Sequence, residues 1–351
     1  MKRDVLIVGS VPLSSAEEVM RTIGKVLGSR VSRIPDGETG ARLRWIDWQT
    51  ETFDRHPMLQ RAPDQEGIDS DWRNKEGISK WKNMGWHMIR EDVDPATLEF
   101  PPLGYARTAR ESYEVFRNLR DSGALHATCR FQVSLPTPYN VIDQRIVPNQ
   151  RLQVEKAYER RMIAEISEMS ESIPHNDLSI QWDVAHEIEN LDGARPHWFG
   201  NPEQGIIDRL VRLGANVPRH VELGFHFCYG DFAHKHIVEP KDAGLMVSVA
   251  NKLLGQSERS VDWIHFPVPR ERSDDAFFSP FAALSVPPET RIYLGLIHFT
   301  DGLLGARRRL AAAKKVITIF GVATECGFGR RPPDTIVPLL QLHTEVADLK
   351  A

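Results

Sequence analysis

Short runs of apolar residues alternate along the chain with longer stretches in which apolar positions recur every three or four residues. The first pattern predicts strands and the second amphipathic helices. Strand candidates fall at Asp4–Val11, Arg30–Pro35, Ala127–Leu135, Leu178–Asp183, His220–Cys228, Ser260–Val268, Arg291–His298 and Val316–Thr324, eight in all. Helices are predicted at Ser15–Leu27, Gln150–Ser172, Pro202–Leu213, Pro240–Leu254 and Asp301–Lys314, with a last one at Asp334–Leu349. Ser14-Ser15-Ala16-Glu17-Glu18 marks a helix start, with hydroxyls ahead of acids in the first turn. Strand-then-helix alternation makes a parallel sheet. Eight such units in 351 residues predict an α/β fold, a closed (β/α)8 TIM barrel occupying residues 1–351, more than an open doubly wound sheet.

One interval breaks the rhythm. Residues 41–123 separate the second and third strands, too many for a simple crossover. This insertion after strand 2 carries Trp45, Trp48, Trp72, Trp81, Trp86, Tyr105 and Tyr113 among many charges. It reads either as an extra helical layer on the side of the barrel or as a lid, because loops that follow barrel strands emerge on the catalytic face.

Composition narrows the function. Hydrophobic residues at 41% and charged residues at 26% allow both a large core and a charged surface. The formal charge is −4 and no Lys/Arg run is present, which argues against a nucleic-acid partner. The apolar run near the N-terminus is too short for a signal peptide, and no segment approaches the ~20 apolar residues that span a bilayer. The expectation is a cytoplasmic protein with no membrane partner. Three cysteines are not a disulfide framework, and a reducing compartment leaves thiolates free for metal.

Polar residues cluster at the C-terminal strand ends, where barrels place their chemistry. In order these are Gly9-Ser10, Asp36-Gly37-Glu38, Ser134 with Thr137, Asp183 with Glu187, His226-Cys228-Asp231, His265, His298 and Cys326. His226 and Cys228 are two apart on one strand, so they face the same way. Cys326, flanked by Gly327 and Gly329, ends another strand-like run. One His and two Cys are three of the four ligands that zinc takes. Asp36 and Glu38 either shape a turn or hold a ligand's ammonium group. Cys129, mid-strand, reads as a small buried hydrophobe.

These motifs together resemble the C-terminal catalytic barrel of the cobalamin-independent methionine synthase family, which shares a superfamily with uroporphyrinogen decarboxylase. Val8-Gly9-Ser10-Val11-Pro12 is similar to the family's Gly-Ser-Phe-Pro segment, and Gln181-Trp182-Asp183 lies where the family has Ile-Asp-Glu-Pro. His226-Phe227-Cys228-Tyr229 resembles its His-Met-Cys-Tyr zinc motif. Ile297-His298 resembles Asp-Ile-His-Ser, and Glu325-Cys326-Gly327-Phe328 resembles Asp-Cys-Gly-Leu. The resemblance implies Zn2+ at His226, Cys228 and Cys326, with His265 as the fourth ligand where the family has Glu; Glu271, six residues on, is the next candidate. It implies His298 as proton donor to the leaving group, and Ser10, Asp36, Glu38, Asp183 and Glu187 around the substrate. The pro-line of the Asp-Glu-Pro segment is absent; Val184-Ala185-His186 stands there instead. The implied activity is a zinc-dependent thiol methyltransferase, its partners a small-molecule thiol and a methyl donor such as a folate or corrinoid. Alternatives are a zinc-dependent C–S lyase or ring-opening enzyme, a metal-free decarboxylase using Arg33, Arg42 and Arg44, and an idle ligand-binding barrel.

Overall fold

The computed structural model describes residues 3–63, 86–230 and 236–349. Trp72, Trp81 and Asp231, singled out above, lie outside the described residues. A parallel sheet of seven strands curls on itself: β1 (Arg33–Pro35), β4 (Arg130–Pro136), β5 (Leu178–Val184), β6 (Glu222–Phe227), β7 (Trp263–Pro267), β8 (Arg291–Ile297) and β9 (Gly321–Thr324), paired in that order. Residues 4–8 join the two edges. Val5 bridges in parallel to Val31, just before β1, and to Val322 in β9. Leu6 N–H donates to Val322 O at 3.0 Å, and Val322 N–H to Asp4 O at 2.9 Å. The result is the TIM-barrel type of fold expected from the eight strand candidates.

Residues 4–8 are the least regular of the eight because side chains take over part of their ladder. Gln132 Nε2 donates to the carbonyls of Ile7 and Val8, both at 3.0 Å, and Gln181 Nε2 to Val8 O at 2.6 Å. These glutamines are buried and belong to a polar interior column. Beneath them Arg33 bonds Glu222 and Tyr293, each at 3.1 Å, and its guanidinium lies 4.0 Å from the Trp263 ring. Leu6, Val8, Trp263, Tyr293 and Ala323 fill the remaining interior as a small apolar cluster separate from the main core.

The main core lies between sheet and helices. Chain order gives α1 (Ala16–Leu27), α2 (Thr50–Asp54), α3 (Tyr105–Asp121), α4 (Pro138–Arg145), α5 (Arg151–Ser172), α6 (His186–Leu191), α7 (Pro202–Ala215), α8 (Gly244–Gln256), α9 (Asp275–Phe278), α10 (Gly302–Ala313) and α11 (Ile336–Asp348). α1 starts where the sequence marks it, with the Ser15 hydroxyl accepting from Glu18 N at 3.2 Å. The described part of 41–123 is mixed. A pair of short antiparallel strands, β2 (Leu59–Arg61) and β3 (His87–Ile89), accompanies α2, and α3 is the crossover helix that leads to β4. Among the described residues no helix is long and apolar enough to cross a membrane.

Candidate metal centre and the cavities beside it

His226 lies in β6, and Cys228 continues its line past the last paired residue, its N–H still donating to Val184 O at 2.9 Å. Cys326 follows β9 in a loop folded back by a bond from the Thr324 hydroxyl to Cys326 O at 2.7 Å. The two sulfurs stand 4.0 Å apart, and one His226 nitrogen and both sulfurs lie within 4.8 Å of one another. Two thiolates on a tetrahedral zinc with bonds near 2.3 Å would be separated by about 3.8 Å. Nitrogen and sulfur donors in this number suit zinc, so the residues fit the ion. Cys129 is buried elsewhere, its thiol pushed up to about 12 by burial, and behaves as a small hydrophobe.

His265, the expected fourth ligand, stands outside this group. It pairs with His226 across the β6–β7 ladder, and the two Nδ1 atoms lie 2.7 Å apart. Its Nε2 donates to Thr324 O at 3.1 Å. Burial holds both imidazoles below their usual range, His265 at about 3, and so keeps them neutral. Glu271 is exposed beside Arg270, on the rim of a neighbouring cavity.

A cavity of about 150 Å³ opens on one side of His226, Cys228 and Cys326. Ser10, Glu38, Trp45, Asp183, Glu189 and Arg195 also line it. Burial pushes Asp183 up to about 8, against hydrogen bonds from Gln181 and Trp45 that favour the ionised form. Burial and the nearby Asp183 hold Glu38 well above its ordinary value, with Arg42 opposing. Among the described residues, Glu38 and Trp45 are the two non-glycine residues with positive φ, 50° and 53°. Such a backbone conformation costs energy in a non-glycine residue and persists only where the surroundings hold it. Gly9 keeps room for Glu38: a Cβ on Gly9 would lie 2.7 Å from the Glu38 carboxylate.

Two expected substrate contacts fall outside this lining. Asp36 is buried and accepts from Glu38 N, Arg42 and Ser112, so it shapes the loop that carries Glu38. Glu187 is fully buried and hydrogen-bonded to Thr137, and burial raises it to about 7. Beside it Asp143, held low by Arg151 and Arg195 in spite of burial, anchors a buried ion network with His186 and Glu189.

His298 lies at the end of β8 on a second cavity of about 480 Å³, whose walls include His236, Arg270, Arg272, Glu325 and Arg331. Cys326 and Gly327 line both cavities. Burial and the charge of Arg309 push His298 down to about 3. Its Nε2–H donates to Val268 O at 2.8 Å, which leaves Nδ1 as acceptor, 3.8 Å from Glu325. Glu325 also bonds His236 at 2.8 Å. Burial lowers His236, but Glu325 and Glu239 outweigh it and raise the imidazole to about 9, so it is charged at neutral pH. From the sequence Trp45 was only one of several aromatics in the 41–123 insertion and Glu325 only the residue before Cys326, while His236 carried no signal. Two arginines that a decarboxylase would use are engaged, Arg33 with Glu222 and Arg42 with Asp36.

The fold and the strand-end polar site together define a TIM-barrel architecture with a candidate metal centre at its mouth. Solved structures share this architecture end to end. One described as a vitamin-B12-independent methionine synthase from Listeria monocytogenes matches with TM-score 0.59 and 13% identity, covering 99% of this chain and 98% of that one. A B12-independent methionine synthase from Shewanella sp. W3-18-1, in complex with selenomethionine, matches with TM-score 0.60 and 14% identity, over 99% and 96%. A methyltransferase from Methanosarcina mazei matches with TM-score 0.51 and 12% identity, over 99% and 94%. No protein-family model and no curated protein matches the sequence.

Proposed function

We propose that the chain is a zinc-dependent enzyme that transfers a methyl group, or a related alkyl group, to a thiol. The observation that carries this reading is the meeting of His226, Cys228 and Cys326 beside two cavities of different character, with Cys326 in the wall of both. The names of the structures that share the fold support methyl transfer as the reaction class.

His226, Cys228 and Cys326 would hold the ion. When bound, zinc acts as a Lewis acid that ionises a thiol, which otherwise has a pKa near 8.5 and is only a few per cent thiolate at neutral pH. The smaller cavity takes the acceptor. Burial keeps Glu38 and Asp183 from ionising, with the charge of Asp183 adding to it for Glu38; an ammonium group placed beside them would favour both ionised forms. Trp45 donates to Asp183 and lines the same cavity.

The larger cavity takes the donor. In the overall reaction the thiol S–H and the donor C–X bond break, S–C and X–H form, and the proton ends on the leaving group. His298 is neutral with Nδ1 unprotonated, so it serves as a relay, taking a proton and handing it on. His236, charged and hydrogen-bonded to Glu325, would supply the proton that reaches the leaving group, and the proton released by the thiol would restore it.

The test is product formation with a panel of thiols and methyl donors, in zinc-loaded protein. Methylated thiol should form, and Cys228→Ser and Cys326→Ser should each abolish it along with zinc binding. Full turnover in the double Cys→Ser variant would refute the proposal.

A further inference from the structure

We propose that His265 is a positioning residue that fixes the tautomer and orientation of His226, and is not itself a metal ligand. This rests on the zinc reading of His226, Cys228 and Cys326 and assigns a role to the residue behind them. Three observations carry it. First, β6 and β7 pair His226 with His265, and the rings approach with centroids 4.8 Å apart and Nδ1 atoms 2.7 Å apart. Second, the Thr324 carbonyl, 3.1 Å from His265 Nε2, can only accept, so His265 carries its proton on Nε2. Third, a neutral imidazole protonated at Nε2 has its lone pair at Nδ1. His226 must therefore donate from Nδ1, which leaves its Nε2 as the ligating nitrogen, and His226 lines the smaller cavity.

The chain of bonds ends in a residue that also serves the other side of the centre. Thr324 accepts from His265 through its carbonyl and donates through its hydroxyl to the Cys326 carbonyl at 2.7 Å. One residue thus sets both the histidine pair and the Cys326 loop. For His265 to ligate, it would have to release one of its two bonds. At 0% exposure that leaves a buried polar atom without a partner, a costly change. With His265 in the outer layer the protein offers zinc one neutral imidazole and two thiolates. Their charge cancels that of the ion, and the fourth position stays open for a substrate thiol.

The experiment has two arms, both on the full chain. In the first, nitrogen-15 histidine NMR of the metal-free protein reads the tautomers directly, with His226 and His265 assigned by single substitution. The expected result is a proton on His226 Nδ1 and on His265 Nε2; a proton on His226 Nε2 would overturn the inference. In the second, zinc affinity by chelator competition and the Co(II) optical spectrum are compared for wild type, His265→Asn and His265→Phe. Asn keeps an acceptor where Nδ1 was and should retain near-native affinity. Phe should weaken zinc ~10–100-fold. Neither should shift the Co(II) bands, because the ligand set is unchanged. Bands shifted in His265→Asn, or affinity unchanged in His265→Phe, would overturn the inference. If the Phe variant misfolds by circular dichroism, the wild-type tautomers and the Asn variant decide. A wild type that binds no zinc would refute the zinc reading, while the metal-free tautomers would still decide the role of His265.

Discussion

Glu187 has one carboxylate oxygen bonded to Thr137 and the other without a partner among the described residues. Burial raises it to about 7 from an ordinary 4.5, so the folded chain binds a proton there that the unfolded chain has lost. Its contribution to stability is whole below pH 4.5 and is lost as pH rises to about 7, up to about 3 kcal/mol at the far end. Glu187→Gln should flatten that part of the stability–pH curve of the metal-free protein, as measured by urea unfolding from pH 5 to 8. An unchanged slope would contradict the assignment. Asp183 faces the cavity instead. Asp183→Asn should raise KM for an amino-bearing thiol by about 10–100-fold, the worth of a charged hydrogen bond, with a smaller change in kcat. Equal losses in both, or none, would place Asp183 outside substrate binding. His226, Cys228 and Cys326 were legible in the sequence because strand periodicity alone puts the first two on one face. Trp45 was not, because its place at the cavity depends on a positive φ in a loop, which no periodicity signals. The outward turn of His298 toward the larger cavity was equally invisible, since it depends on the Val268 carbonyl just past the end of β7.

At the scale of elements, β6 and β7 meet through a size match. Gly224 stands opposite Trp263, and a Cβ added to it would lie 1.8 Å from the indole. Trp263 has no room to retreat, being fully buried with Arg33 stacked on its ring. Gly224→Ala should therefore destabilise the chain by about 1–3 kcal/mol, read as a lower denaturant midpoint at unchanged m-value. A native midpoint would show that the barrel interior is looser than its packing implies. The eight barrel strands were readable because each is an apolar run bounded by turn or helix signals. The last begins only at Gly321, not Val316, because 316–320 complete the turn that follows α10. β2 and β3 escaped notice because each has three residues, too few for alternation to register.

At the scale of the molecule, the barrel closes through residues 4–8, and its mouth gathers the candidate ligands from the β6 segment and the loop after β9, far apart in sequence. An ion held across these segments would bind the folded chain more tightly than the unfolded one, so zinc should raise the melting temperature and chelation should lower it. Cys326→Ser should remove most of that difference, and a zinc-independent melting temperature would argue against a centre that spans both segments. The fold was legible because alternation of strand and helix leaves few topologies. The role of 41–123 was not, because its described parts divide between a crossover helix, a strand pair and the cavity wall at Trp45. The central claim is that His226, Cys228 and Cys326 hold zinc with a position open to a thiol. Zinc K-edge X-ray absorption of the loaded chain, before and after adding a thiol substrate, tests it most directly. The account predicts two sulfur ligands near 2.3 Å and one imidazole nitrogen at first, and a third sulfur once the thiol is present. A shell without sulfur, or one that thiol leaves unchanged, would contradict it.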